Sequence, residues 1–241
     1  MSNPDKPRHR RVVRRQPSAP GERLSFRPGE IWRTFKAYFG LGRASKAEPI
    51  DTPEALSRFL ETRASFIAQT SLYGYLRTRA GMRYPELFED DPFVAGINIA
   101  KWHIWLACLS DIAVYTGSRL AQQAPRETLR IGRLVNALVD GILEANGTPT
   151  EAGDEFAAHA RRVRERVARI DWLTVGADEA AFSESPTALI RWAPILDELK
   201  ELDEDIVRNS VRFRWQEVRR DFARDLDAEA ILRALPESAT G

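Results

Sequence analysis

The stretch from Phe93 to Tyr115 is the longest apolar region of the chain, and it limits the fold more than any other feature. It suits a membrane poorly. Lys101 sits in its middle with His103 and Asp111 close by, so the charge-free runs 92–100, 102–110 and 112–118 hold nine residues or fewer. A spanning helix needs about 20 mostly apolar residues, and a charge at the bilayer centre is costly. The stretch therefore reads as a buried core helix over residues 92–121, with Asp91-Pro92 as its cap and first turn. Such a helix must be covered on several sides by other elements.

The rest of the chain supplies helices for that purpose. Thr52-Pro53-Glu54 opens one: Thr caps, Pro suits the first turn and Glu complements the dipole. Leu56, Phe59, Leu60, Ala64 and Ile67 keep a helical spacing, and Gly81 is the stop. A further helix runs from Pro125 to Asn146-Gly147, with Ile131, Leu134, Val135, Leu138, Val139 and Ile142 on one face. Thr148-Pro149-Thr150-Glu151 has the capping-box pattern and predicts the start of the next helix, whose narrow seam is Phe156, His159, Val163, Val167 and Ile170. Pro186 starts another helical stretch, and Pro194 should kink or break it. From Ile195 the spacing 195, 199, 202, 206 is heptad-like, then shifts to Val207, Val211, Trp215, Val218 and Phe222, with the change of face near Asn209. A last short helix follows Leu226-Asp227 and ends before Pro236. No alternating strand pattern and no internal repeat is visible. The expected fold is all-α, a bundle of five to seven helices over residues 52–235, with a tail at 236–241.

Composition agrees with a globular body. The 241 residues are 43% apolar and 29% charged, enough to build a core and unlike a collagen, a disulfide scaffold or a wholly disordered chain. Cys108 is the sole cysteine, so no intramolecular disulfide forms; its apolar setting makes it a core residue in a reducing compartment.

The net charge of +1 conceals an asymmetry. Residues 1–46 carry 12 Lys and Arg against 3 Asp and Glu, a net of +9, whereas residues 47–241 carry 24 against 32, a net of −8. Residues 1–28 are rich in Pro and lack apolar periodicity, which reads as a disordered basic arm. In residues 29–41 the pattern changes. Ile31, Trp32, Phe35, Tyr38 and Phe39 fall within about 120° of a helical wheel, with Arg33 and Lys36 on the other side. This is an amphipathic aromatic helix ended by Gly40 and Gly42, followed by a polar linker over 42–51. Trp32, Arg33, Phe35, Lys36, Tyr38 and Phe39 are the candidate docking residues, for an anionic membrane, a protein partner or the protein's own core. The N-terminus has no apolar signal region, so secretion is not expected. The expected location is cytoplasmic, peripheral on the inner face of the cell membrane; an Arg-rich, acid-poor start would fit organelle import in a eukaryote.

Recognised catalytic signatures are absent. There is no Gly-x-Ser-x-Gly, no P-loop and no Gly-x-Gly-x-x-Gly. Three histidines and one cysteine cannot build a His- and Cys-rich zinc site, and the Glu155/His159 spacing of four does not fit a di-iron bundle. No metal or cofactor is expected. His103 and Asp111, eight residues apart on the core helix, lie some 12 Å apart along its axis and could line one cavity. Tyr73, Tyr75, Gln69 and Thr70 of the preceding helix could complete it. Alternatively each polar group is bonded within the fold, since unpaired burial is costly. Arg77, Arg79 and Arg83 suit a helix C-terminus, and Glu89-Asp90-Asp91 suits a solvated turn. Arg208, Arg212, Arg214, Arg219, Arg220 and Arg224 are mixed with acids, which makes a poor nucleic-acid stripe. Phe213 and Trp215 are either core or an anchor for a partner.

The leading functional expectation is a non-enzymatic adaptor or assembly protein at a cytoplasmic membrane surface, with a protein partner. One alternative is an enzyme or carrier with an apolar pocket at His103 and Asp111. The other is nucleic-acid binding through the arm, which the absence of a recognition module in the body disfavours.

Overall fold

A computed structural model describes residues 48–175 and 179–235. The basic arm, the aromatic segment 29–41 with its six candidate docking residues, most of the linker and the tail 236–241 lie outside the described residues. Among the described residues seven α-helices follow in order: α1 Pro53–Ala80, α2 Asp91–Gln123, α3 Thr128–Asn146, α4 Phe156–Arg169, α5 Glu184–Trp192, α6 Asp197–Asp225 and α7 Ala228–Ala234. The fold is all-α. The one β-type contact among the described residues is a parallel bridge between Ile50 and Leu226, where Ile50 N–H donates to Asp225 O and Asp227 N–H to Ile50 O. It pins the chain entering α1 to the α6–α7 corner.

The apolar stretch forms α2, 33 residues long, and α1, α3, α4 and α5 all pack on it. Every residue from His103 to Ser118 is buried, so no face of this segment meets solvent. By length and composition α2 could cross a membrane; its central burial instead comes from neighbouring helices.

Local chemistry explains most boundaries. Thr52 Oγ1 accepts from Ala55 N–H at 3.1 Å and caps α1. Gly81 ends α1 at φ 55°, a backbone conformation that favours glycine. Pro194 falls in the break between α5 and α6. Two expected caps differ. Asp91 is the first residue of α2 rather than its cap, which is Asp90. The Thr148–Glu151 pattern opens only a 3-10 turn, Thr150–Ala152, and α4 begins at Phe156 after Gly153 turns the chain at φ 76°. Glu151 is drawn away from a capping role: its Oε1 accepts from Lys101 Nζ and Trp102 Nε1, both at 3.3 Å.

Two glycines set the approach of α2 and α3. A Cβ on Gly117 would lie 2.2 Å from the Trp172 ring, and one on Gly132 would lie 3.0 Å from Trp172 Nε1. The buried indole occupies the slot these two residues leave.

Candidate functional site

The polar residues of α2 form two separate rungs. His103 and Asp111 pair with His159 and Arg166 of α4, and since both numbers rise together, α2 and α4 run parallel. The helix α5 runs the opposite way and closes both rungs, with Trp192 at the first and its N-terminus at the second.

At the first rung, Nδ1 of His103 and Nδ1 of His159 are 2.9 Å apart. One nitrogen must donate and the other accept, so at least one ring must be neutral with its Nδ1 unprotonated. Trp192 stacks on His103 at 3.6 Å between ring centroids, with 7° between planes, and Phe156 meets it edge-on at 6.4 Å. Burial pushes the His103 imidazole below its usual value, against the Ala152 backbone and Glu155. Burial, then His103, Arg162 and Arg191, push His159 down to about 4. His103 Nε2 has no hydrogen-bond partner within normal geometry.

At the second rung, Asp111 is fully buried. Its Oδ1 accepts from Arg166 Nη1 at 2.8 Å and Glu184 N–H at 3.1 Å, and its Oδ2 accepts from Ser185 N–H at 2.8 Å. Arg166 also donates to Ser110 Oγ and to Ala181 O. Ser185 Oγ in turn accepts from Trp215 Nε1 at 2.9 Å. Asp111 therefore supplies from α2 the cap that α5 lacks from its own residues. Burial raises its carboxyl, opposed by Arg166 and the Ser185 N–H.

The tyrosines expected beside these groups lie elsewhere. Tyr75 O–H donates to Asp203 Oδ2 at 2.9 Å, and Arg79 binds the same carboxylate, tying α1 to α6. Burial raises Tyr75 to about 12, and Tyr73, near Tyr84, likewise. Thr70 bonds back to Phe66 O within α1. The hydrogen-bond and stacking partners of His103 and Asp111 come from α4 and α5, together with Ser110 of α2 through Arg166, and neither Tyr73 nor Tyr75 is among them. Two surface depressions, of about 770 and 290 Å3, are lined by none of the four. Among the described residues no three His, Cys, Asp or Glu side chains converge as metal ligands. Cys108 is fully buried, which raises its thiol well above the ordinary value.

Sequence reasoning missed the partners. His159 was visible as part of the α4 seam, and a buried Asp111 calls for a cation. Nothing in the spacing selects Arg166 among 31 arginines.

The larger depression lies beside α6 and is lined by Tyr115, Arg119, Phe213, Arg214, Arg219 and Arg220, among others. Ten arginines of the described residues are ion-paired; these four are among the twelve that have no acidic partner. Arg219 lies over the Tyr115 ring at 6.0 Å, and Arg214 Nε is buried without a hydrogen bond. Next to them, Leu202, Ile206 and Phe213 are exposed by 76, 72 and 71%. The buried seam of α6 is Val207, Val211, Trp215, Val218 and Phe222; of the earlier heptad-like row, Leu202 and Ile206 point outward, whereas Ile195 packs against the core.

Comparison with protein-family models, with curated proteins and with solved structures gives no match.

Proposed function

We propose that this chain is a non-enzymatic adaptor or assembly protein. Its basic N-terminal segment holds it at an anionic membrane surface on the cytoplasmic side, and its helical body binds a protein partner. What supports this reading is the division of polar groups. Asp111 is bonded through both oxygens, and the two histidines share a bond. A general acid or base needs a proton-transfer atom within reach of a substrate. Exposed large apolar side chains, Leu202, Ile206 and Phe213, instead share the outer face of α6, as on a docking surface.

The membrane half of the reading rests on the sequence of residues 1–46. Each basic residue near an anionic bilayer contributes on the order of 1 kcal/mol, and salt weakens it. Full-length protein should sediment with phosphatidylserine-containing vesicles, release in part at high salt and bind neutral vesicles weakly. Trp32→Ala with Phe35→Ala should weaken binding even at low salt, with the melting temperature unchanged. Full-length protein that stays in the supernatant with anionic vesicles would reject the membrane half.

A further inference from the structure

We infer that the outer face of α6 is where two copies of this chain meet, packed antiparallel; this rests on reading that face as the docking surface and names its partner. Two independent features point there.

The first is an open apolar row. Leu202, Ile206 and Phe213 are spaced four and seven residues apart, which places them within about 40° on a helix at 100° per residue. Leu199, half-buried, extends the row one step toward the N-terminus. Single exposed apolar residues are ordinary on a protein surface. A row with heptad spacing is what a second helix covers. The bundle already fills the other seam of α6, through Val207, Val211, Trp215, Val218 and Phe222. The open row is thus a second seam, with Asn209 at one of its inward positions, where a polar residue sets register.

The second is charge order. In the first half of α6, Glu198, Glu201 and Asp205 are exposed and have no ion-pair partner. In the second half, exposed Arg212 and Arg220 and half-buried Arg214 and Arg219 have none either, against a single exposed unpaired acid, Glu217. The helix dipole favours acids at the first turn and cations at the last, and its effect fades within a turn. Glu201, Asp205, Arg212 and Arg214 lie well inside the helix, beyond that influence. An antiparallel second copy sets each acidic half on the other copy's arginine half, on both sides of the two-fold axis. A parallel copy would set like on like. A surface that is its own complement under a two-fold rotation is an isologous interface. The apolar row runs from 202 to 213, so the axis crosses it between residues 207 and 208 and seats Phe213 of each copy on Leu202 of the other.

Full-length protein at tens of micromolar should sediment at twice the monomer mass. Leu202→Asp with Phe213→Asp should restore the monomer mass while circular dichroism and melting stay unchanged, because both side chains face solvent in one copy. Orientation is read by cross-linking. In the antiparallel pair the two copies of position 202 lie about 16 Å apart along the axis, beyond the reach of a disulfide. Leu202→Cys and Phe213→Cys proteins should therefore cross-link under mild oxidation only when mixed, and buried Cys108 does not contribute. A monomeric full-length chain, a dimer indifferent to the paired Asp changes, or self-cross-linking of Leu202→Cys alone would each overturn the proposal. The vesicle assay reads residues 1–46, and sedimentation reads α6, so the two readings fail separately.

Discussion

His159 sits between His103 and the cations Arg162 and Arg191, with Glu155 also facing the pair, and its chemistry makes the first rung sensitive to acid. A second proton would set two N–H groups against each other across 2.9 Å. The folded-state pKa, about 4, lies below the unfolded value of 6.5. The unfolded chain therefore binds the proton first, so stability present above pH 6.5 is lost as pH falls toward 4. At about 1.4 kcal/mol per unit, discounted for partial exposure, the loss is on the order of 2 kcal/mol. Urea unfolding at pH 7 and pH 5 should show the decline begin before the carboxylates titrate, and His159→Gln should flatten that early part. A wild-type curve already flat between pH 7 and pH 5 would refute the neutral pair. At this scale the sequence was legible in part. That Asp111 and His103 need partners follows from their apolar surroundings. Which residues answer depends on α4 running parallel to α2, and a single helix pattern does not contain that relation.

Elements were far easier to read than contacts. Thr52-Pro53, Gly81, Asn146-Gly147 and Pro194 act through local backbone preferences, so helix ends appear in the sequence where they appear in the structure. The failure at Thr148–Glu151 is equally local in origin: the pattern is correct, but Glu151 has a better partner in Lys101 and Trp102. The approach of α2 to α3 gives a test at this scale. Gly→Ala inside a helix gains about 0.5–1 kcal/mol from backbone entropy. At Gly117 the new Cβ would lie 2.2 Å from the rigid Trp172 ring, and overpacking of that kind costs about 1–3 kcal/mol. Gly117→Ala should thus lower the melting temperature by several degrees. Gly141→Ala, where the Cβ meets open space, should raise it slightly. A thermal-melt comparison in which both changes stabilise would place Trp172 elsewhere. The outward face of α6 was visible as a shift of seam near Asn209, but which seam the bundle takes is settled only by packing.

Across the described residues, the two rungs bind α2, α4 and α5 into a unit in which both oxygens of Asp111 are bonded, with Trp215 joining α6 through Ser185. The central claim is that Asp111 belongs to the scaffold, and equilibrium unfolding of Asp111→Ala by urea tests it most directly. Removing one partner of a buried, bonded ion pair leaves Arg166 uncompensated and strips the cap from α5, which costs about 3–5 kcal/mol. A loss of that size should appear with the m-value unchanged. A variant as stable as the parent, or more stable, would show that the carboxylate is held at a cost to the fold, as a catalytic or ligand-binding group is, and would contradict the account.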